Sequence, residues 1–447
     1  MELCIIGTGY VGLTTAACLA EIGHRVVAVD SDTEKLAILC SGGMPIYEPS
    51  LEELVRKNVA ASRLTFTGDL AEGVAQGRAI FICVGTPSSE TGDADLSAVE
   101  AVARRIAETA RGRKLIIEKS TVPVRTGAWV EKTLHLYGRE GSGDFEVASC
   151  PEFLREGSAV EDFFHPDRIV VGVSGPWAEG MLREIYGPIL EGSFECPVHA
   201  RCGTRDQVPY LVTDIASAEL IKHASNSFLA LKISFINAVA DLCERVGADV
   251  LQVAEGMGLD RRIGRAWLDA GIGFGGFCFP KDLQAFVRIA EKAGCDLTLL
   301  REAERINHAR IDLVVEKLRT HLWVLRGKVV AILGLAFKPN TDDVRFAPAL
   351  EIIRRLQAEG VEVRAYDPKA MERAARVLTG VTFARDPYEA GADAEALVIA
   401  TEWDEFRSLD LARLKGTMRR PLVVDGRNLF GRKQMESSGF EYVGIGR

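Results

Sequence analysis

The first thirty residues constrain the fold more than any other part of the chain. The segment LCIIGTGYVGLTTAACLAEIGHRVVAVD places an apolar strand before three glycines, then a helix, then a second strand that ends at Asp30. In this G-x-G-x-x-G pattern Gly7 makes a tight turn, Gly9 admits a pyrophosphate, and Gly12 lets the helix pack on the strand. The helix N-terminus attracts the pyrophosphate. The segment therefore predicts a dinucleotide-binding Rossmann unit.

The acidic residue after the second strand indicates which dinucleotide binds. Asp30 stands 23 residues after Gly7, where a carboxylate hydrogen-bonds the adenosine ribose. Its charge repels a 2′-phosphate, and Ser31 and Asp32 follow it without an arginine. The segment favours NAD over NADP.

Strands and helices alternate at both ends of the chain and leave a helical stretch between. Further strands are predicted at 79–85, 114–121, 145–153, 327–339, 361–368, 396–401 and 422–427. Residues 214–247 lack glycine and proline until the end, and apolar residues recur at helical spacing after Asp214, a suitable N-cap. We predict an α/β fold of two Rossmann-like doubly wound parallel-sheet domains joined by a helical central domain. The predicted domains are 1–210, 211–320 and 321–447.

The composition excludes several classes of protein. At 447 residues the chain is too long for one ordinary core, and 47% hydrophobic with 26% charged residues is typical of soluble enzymes. The net charge of -9 argues against a nucleic-acid partner or an anionic membrane surface. We find no signal peptide and no run of about 18 apolar residues that could span a bilayer. We expect a cytoplasmic protein with reduced thiols.

One group of metal-binding residue types lies close together in the sequence. Cys196 and Cys202 flank His199. Structural zinc sites commonly combine two short-spaced pairs of ligands, and no second pair lies nearby. We therefore predict no metal site.

A glycine-rich segment surrounds a single thiol. In GIGFGGFCFPKD, Pro280 suits the first turn of a helix, so Cys278 lies at a helix N-terminus close to Lys281. Both the helix dipole and the ammonium favour a thiolate. From this segment alone, a nucleophilic Cys278 and an inert buried cysteine are equally supported.

Two further segments carry candidate catalytic groups. Lys222 and Asn226 lie four residues apart on one predicted helix face, which suits stabilisation of an oxyanion. Glu152 and Glu156 follow a predicted strand end and could position a water or polarise a hydroxyl. A surface or capping role explains each of these residues equally simply when it is taken alone.

Together these segments make the chain resemble the UDP-glucose/GDP-mannose dehydrogenase family, and within it the UDP-glucose 6-dehydrogenases. The matching segments cover nearly the whole chain: GTGYVGL, VGTP, KSTVPV, PEFLREG, HPDRIVVG, SAELIKHASNSF, GIGFGGFCFPKD, LGLAFKPNTDDVR, TEWDEF and DGRNLF. The resemblance implies four-electron oxidation of the C6 alcohol of UDP-glucose to a carboxylate by two NAD. It implies a thiohemiacetal and then a thioester on Cys278, and a homodimer that assembles through the central helix.

The resemblance also assigns roles to residues. Catalytic roles fall to Cys278, to Asp282 as the group that orients water, to Lys222 and Asn226 as the oxyanion pair, and to Thr121 and Glu152. The implied NAD contacts are Gly7, Gly9, Tyr10, Val11, Gly12, Asp30, Lys35, Thr86, Thr121, Glu156, Lys281 and Arg345. The implied substrate contacts are Glu152, Phe153, Leu154, Lys222, Asn226, Arg262, Gly275, Lys338 and Arg427.

The sequence departs from the family pattern at some positions, and other functions stay open. Phe277 stands where a small serine is usual beside the cysteine, and Arg125 replaces a usual glycine. The alternatives are a sister enzyme for GDP-mannose or a UDP-N-acetylhexosamine, a two-electron alcohol dehydrogenase that needs no cysteine, and an NAD-binding protein without catalysis. TEWDEF and GFGGFCFPKD favour the UDP-glucose branch. The amount of NADH formed per sugar nucleotide separates the four-electron from the two-electron reaction.

Overall fold

The computed structural model describes residues 1–89, 92–138, 143–199 and 207–447. Packing within these residues divides the chain into two compact units. The first unit contains Met1–Ser225 and Gln284–Lys292, and the second contains Asn226–Leu283 and Ala293–Arg447. The predicted α/β fold class, with two Rossmann-like sheets and a helical middle region, is confirmed. The predicted division into three domains stays a prediction.

The first unit contains an eight-stranded sheet. Its strands are β1 (Glu2–Ile6), β2 (Arg25–Val29), β3 (Leu64–Thr67), β4 (Ala79–Ile82), β5 (Lys114–Glu118), β6 (Phe145–Ser149), β7 (Ile169–Val173) and β8 (Tyr210–Thr213). The order is β3-β2-β1-β4-β5-β6-β7-β8, and among these eight described strands β6 and β7 are the one antiparallel pair. The first six strands have the 3-2-1-4-5-6 order of a Rossmann fold. The short strands β3, β7 and β8 are not among the strands predicted from the sequence.

Helices pack against this sheet and bury its apolar strands. They are α1 (Tyr10–Glu21), α2 (Thr33–Cys40), α3 (Leu51–Ala60), α4 (Leu70–Gln76), α5 (Ser97–Thr109), α6 (Thr126–Tyr137), α7 (Ala159–Phe164) and α8 (Pro176–Glu191). Every residue of β4 (AIFI) is buried, as expected for an interior strand of a parallel sheet that is covered on both faces. This rigid sheet fixes the loops that follow its strands.

The long central helix forms as predicted. Helix α9 spans Ile215–Val246, and the Asp214 carboxylate accepts a hydrogen bond of 2.8 Å from the backbone N–H of Ser217. Asp214 therefore caps the helix.

By length and composition α9 could also cross a membrane, which the sequence analysis did not anticipate. Long core helices of soluble proteins meet the same description, so α9 alone is weak evidence for a membrane span.

The second unit repeats the Rossmann strand order. Its strands are β9 (Val329–Leu333), β10 (Glu362–Tyr366), β11 (Val381–Phe383), β12 (Ala396–Ile399), β13 (Leu422–Asp425) and β14 (Glu441–Val443). Their order is β11-β10-β9-β12-β13-β14, and all neighbours are parallel. The remaining helices are α10 (Val250–Gly258), α11 (Cys278–Lys292), α12 (Thr298–Leu322), α13 (Pro348–Ala358), α14 (Met371–Ala375), α15 (Pro387–Gly391), α16 (Asp404–Arg407), α17 (Leu411–Thr417) and α18 (Arg432–Ser437). Helices α9 and α11 contribute residues to both units.

The second unit keeps part of the first unit's glycine turn. Gly334 follows β9 with φ +96°, and the backbone N–H of Leu335 donates to the Asp367 carboxylate at 2.7 Å. Asp367 is fully buried and also accepts a hydrogen bond from the Trp403 indole at 3.1 Å. Asp367 therefore stands after β10 as Asp30 stands after β2, and protein groups surround its carboxylate.

Candidate active site

The glycine loop after β1 has the geometry that a dinucleotide requires. Gly7 has φ +98°, and a Cβ there would lie 2.6 Å from the Cys83 carbonyl oxygen. A Cβ on Gly12 would lie 1.8 Å from the Gly7 carbonyl oxygen, so neither position accepts a side chain. A Cβ on Gly9, by contrast, would meet no atom within 4 Å. Open space beside the N-terminus of α1 fits a pyrophosphate, and Tyr10 and Val11 form the first turn of that helix.

Asp30 is held as a buried carboxylate at the end of β2. It accepts hydrogen bonds from the Thr8 backbone N–H at 2.8 Å, the Thr8 hydroxyl at 2.6 Å and Lys35 Nζ at 2.9 Å. Burial raises the pKa of Asp30, but bonds from Thr8, Asp32 and Lys35 outweigh burial and lower the pKa to about 2. Asp30 is therefore ionised at neutral pH. The sequence analysis missed Thr8, although a hydroxyl between the first two glycines was a usable signal.

The loops after β4 and β5 lie against each other. The Thr86 hydroxyl donates to the Thr121 carbonyl oxygen at 2.9 Å, and the Ser120 hydroxyl donates to the Val84 carbonyl oxygen at 2.7 Å. The structure thus brings together two residues that the sequence assigned to cofactor binding, Thr86 and Thr121. They lie at the carboxyl edge of the sheet, where Rossmann folds bind ligands.

A buried ion pair joins the end of β6 to α9. Lys222 Nζ lies 3.0 Å from Glu152 Oε1, and the two side chains are only 4% and 5% exposed. Glu152 Oε2 accepts the Leu154 backbone N–H at 2.6 Å, and Lys222 Nζ lies 5.4 Å from the centre of the Phe153 ring. Lys222 is therefore not a solvated surface lysine. A buried lysine and carboxylate can stabilise negative charge and move a proton.

The second unit contains a buried polar network beside the thiol. Asn226 Nδ2 donates to Asp282 Oδ2 at 2.6 Å, and Lys281 Nζ lies 2.8 Å from Asp282 Oδ1. All three side chains are buried, whereas Cys278 is half-exposed. Helix α11 begins at Cys278, two residues before the predicted start at Pro280, so the thiol and Asp282 occupy its first turns. A half-exposed thiol at a helix N-terminus is placed for nucleophilic attack.

The glycines before Cys278 are required because other atoms of the protein lie against them. A Cβ on Gly275 would lie 2.4 Å from the Phe346 carbonyl oxygen, and one on Gly276, whose φ is +79°, would lie 2.7 Å from the Phe337 ring. Arg427 donates to the Gly273 carbonyl oxygen at 2.9 Å. Close packing therefore fixes the segment that carries Cys278, and Arg427, a predicted substrate residue, is bound to the same segment.

Phe277 lies between cationic side chains. The Arg345 guanidinium carbon is 4.4 Å from the centre of the Phe277 ring, and Lys281 Nζ is 5.7 Å from it. These distances allow cation–π attraction. The Phe277 ring is thus held in place, while Arg345 also binds Asp343, with Nε 2.9 Å from Oδ2.

Three further predicted residues differ in their exposure and contacts. Arg262 lies after α10 with its side chain 90% exposed, and it pairs with Asp260 at 2.6 Å. Lys338 Nζ is 5.5 Å from the centre of the Phe337 ring, and Glu156 lies half-buried before α7. Their assigned ligand contacts stay predictions.

The first unit has the fold and glycine loop of dinucleotide-binding proteins, and comparison with known proteins defines the family. The chain matches three models of the UDP-glucose/GDP-mannose dehydrogenase family: the NAD binding domain at 1–190, the central domain at 216–309 and the UDP binding domain at 331–432. It belongs to this family.

Named relatives extend over the whole chain. A UDP-glucose 6-dehydrogenase of Rhizobium meliloti is 47% identical over 100% of both chains. A solved UDP-glucose dehydrogenase from Pyrobaculum islandicum is 41% identical with a TM-score of 0.89, covering 99% of this chain and 96% of that one. A UDP-D-ManNAc dehydrogenase from Pyrococcus horikoshii is 29% identical with a TM-score of 0.85, covering 100% and 99%.

Proposed function

We propose that this chain is an NAD-dependent UDP-glucose 6-dehydrogenase that oxidises UDP-glucose to UDP-glucuronate. The observation that carries the proposal is the placement of Cys278 at the start of α11, with buried Asp282 in the following turn held by Asn226 and Lys281. A two-electron alcohol dehydrogenase needs no such thiol. The relatives that are 47% and 41% identical act on UDP-glucose by name, whereas the UDP-D-ManNAc dehydrogenase is 29% identical. The sister activities are therefore less favoured.

The first unit supplies a site that fits NAD. The open space at Gly9 and the N-terminus of α1 would hold the pyrophosphate, and the ionised Asp30 would accept a hydrogen bond from the adenosine ribose. When bound, NAD supplies the hydride acceptor, and oxidation of an alcohol to a carboxylate consumes two NAD.

Cys278 supplies the covalent chemistry. Its sulfur forms a bond to the aldehyde carbon that the first oxidation leaves, and the carbonyl oxygen takes up a proton to give a thiohemiacetal. The second oxidation removes a hydride from that carbon and the hydroxyl proton, which leaves a thioester. Water then forms a C–O bond, the C–S bond breaks, and the sulfur leaves as thiolate. Asp282 would orient this water and accept its proton, while Lys222 and Asn226 would stabilise the oxyanion.

A count of NADH tests this scheme. UDP-glucose should yield two NADH and one UDP-glucuronate, because the acyl group stays on Cys278 until the second oxidation is complete. The measurement combines NADH absorbance with chromatography of the sugar nucleotides after a limiting amount of UDP-glucose has been consumed. A ratio of one NADH, with free aldehyde as product, would overturn the thioester scheme.

The cofactor proposal predicts a change in selectivity at Asp30. The Asp30→Ala variant should lose about 10- to 100-fold in kcat/KM for NAD, because one hydrogen bond to a charged group is removed. Its preference for NAD over NADP should fall by at least as much, because the repulsion of the 2′-phosphate is also lost. The matched control is Asp69→Ala, which removes the carboxylate that caps α4 in the same unit. Equal use of NAD and NADP by the parent enzyme would contradict the role of Asp30.

The expectations of a homodimer and of a cytoplasmic location stay part of the proposal. On α9, Phe228, Phe235, Leu242 and Val246 are 51–66% exposed, and their spacing of seven, seven and four residues follows one helix face. Such a stripe supports assembly of two chains through α9. A monomer in sedimentation equilibrium at micromolar concentration would contradict it.

The cysteines within the described ranges are free thiols, which supports a reducing location.

A further inference from the structure

Three metal-ligating side chains converge in the first unit outside the predicted active site. His165 directly follows α7, and Cys196 and His199 lie in the segment after α8. His165 Nε2 is 3.2 Å from Cys196 Sγ and 3.2 Å from His199 Nδ1, and Cys196 Sγ is 3.9 Å from His199 Nδ1. Two imidazole nitrogens and one sulfur thus face a common point.

The size of this triangle matches one tetrahedral metal ion. With zinc bonds of about 2.0–2.1 Å to nitrogen and about 2.3 Å to sulfur, tetrahedral ligand atoms stand about 3.3–3.6 Å apart. The observed separations of 3.2, 3.2 and 3.9 Å bracket these values. One ion can therefore contact all three atoms after shifts of a few tenths of an ångström.

A carboxylate lies on the outer side of His199. Glu161 Oε1 is 3.6 Å from His199 Nε2, the ring nitrogen opposite the one in the cluster. Histidines that bind metals commonly donate their second N–H to a carboxylate, which fixes the ring orientation and makes the first nitrogen a better ligand. Glu161 therefore lies beside the ring nitrogen that such a carboxylate contacts.

We propose that His165, Cys196 and His199 form a zinc site, with Glu161 as its outer carboxylate. Imidazole with one thiolate suits Zn²⁺ better than Mg²⁺ or Ca²⁺. On binding, the Cys196 thiol releases its proton to solvent and its sulfur becomes a ligand, while both histidines bind as neutral rings. His165 and Cys196 are half-buried and His199 is exposed, so water can fill the fourth position. The ion would fasten the segment after α8 to the end of α7 and stabilise the first unit.

The sequence analysis predicted no metal site because the pattern that it considered was local. His165 lies 31 residues before Cys196, and only the fold brings the two together. Cys202, which the pattern included, lies outside the described residues and is not part of the proposal.

Metal titration of the full chain tests the proposal. After treatment with a chelator, the protein should bind one Zn²⁺ per chain in competition with a chromogenic chelator, and its melting temperature should rise with Zn²⁺ because the ion binds the native state. Co²⁺ should give the thiolate-to-cobalt charge-transfer band of a bound cysteine. The Cys196→Ser variant should lose this band, and His165→Ala should lose tight binding. Glu161→Gln should weaken binding about tenfold.

Control variants and an activity assay show whether zinc binds at this site and whether the site is separate from catalysis. Cys295→Ser and His135→Ala change an exposed cysteine and an exposed histidine elsewhere and should leave zinc affinity unchanged. Dehydrogenase activity should persist in chelator, since the site contains none of the proposed catalytic groups. The proposal is overturned if the parent chain binds no zinc, if the cobalt complex lacks the thiolate band, or if Cys202→Ser removes that band while Cys196→Ser keeps it.

Discussion

In the Cys278→Ser variant, the rate of the complete four-electron reaction is expected to fall by a factor of about 10³ or more, while the first oxidation remains measurable. Serine preserves the start of α11 and nearly preserves side-chain volume. Its hydroxyl stays protonated near neutral pH, however, so it cannot replace the thiolate as nucleophile. The first oxidation depends on position and on the neighbouring polar groups. We therefore expect aldehyde, or a slowly formed ester with serine, to accumulate with no more than a slow second NADH.

Intact-mass spectrometry and NADH absorbance on the same samples distinguish these outcomes. The matched control is Cys295→Ser, which makes the same chemical change at an exposed thiol and should turn over at the parent rate. Unchanged turnover of Cys278→Ser would mean that the thiol is structural. The glycines before it would then serve only the close packing seen at Gly275 and Gly276.

The parts of the structure that depend on local patterns could be predicted from the sequence. The roles of Gly7 and Gly12 follow from their spacing, and the structure shows backbone where each would carry a Cβ. Helix α9 begins and ends within one residue of the prediction, because an N-cap and an unbroken helical period define it. Strands β3 (LTFT) and β8 (YLVT) lie at the two edges of the sheet and are mostly not buried, so they lack the apolar run that marks the interior strands.

The parts that depend on contacts between distant residues could not be predicted. Nothing near Lys222 in the sequence shows that Glu152, 70 residues earlier, neutralises it in a buried site. Burial removes the solvated-lysine interpretation, because a buried charge needs a partner. His165 and Cys196 are a second example, since each residue has an ordinary sequence context of its own. In both cases, the contact between residues that are distant in the sequence determines what the side chains can do chemically.

The Asp282→Asn variant should form the thioester and then fail to hydrolyse it. Asparagine is nearly isosteric and can still accept the hydrogen bond from Asn226, which is 2.6 Å long in the parent chain. It cannot accept a proton from water, so steady-state turnover should fall about 10²- to 10⁴-fold. A rapid burst of NADH should precede the slow phase, and intact mass should show a covalent adduct. The adduct should be absent from the Asp282→Asn/Cys278→Ala double variant, which has no nucleophile at position 278.

Loss of charge at Asp282 also tests the buried network itself. Lys281 is only 6% exposed and pairs with Asp282 at 2.8 Å. The Asp282→Asn substitution removes the negative charge beside this buried ammonium and should lower the free energy of unfolding by about 3–5 kcal/mol. Asp241→Asn is the matched control, because Asp241 pairs with the buried Arg310 at 2.7 Å in the same unit and has no proposed catalytic role. Both variants should melt at a lower temperature, but only Asp282→Asn should trap the adduct. If Asp241→Asn trapped it as well, or if Asp282→Asn showed no burst, Asp282 would hold the structure of α11 without directing water to the thioester.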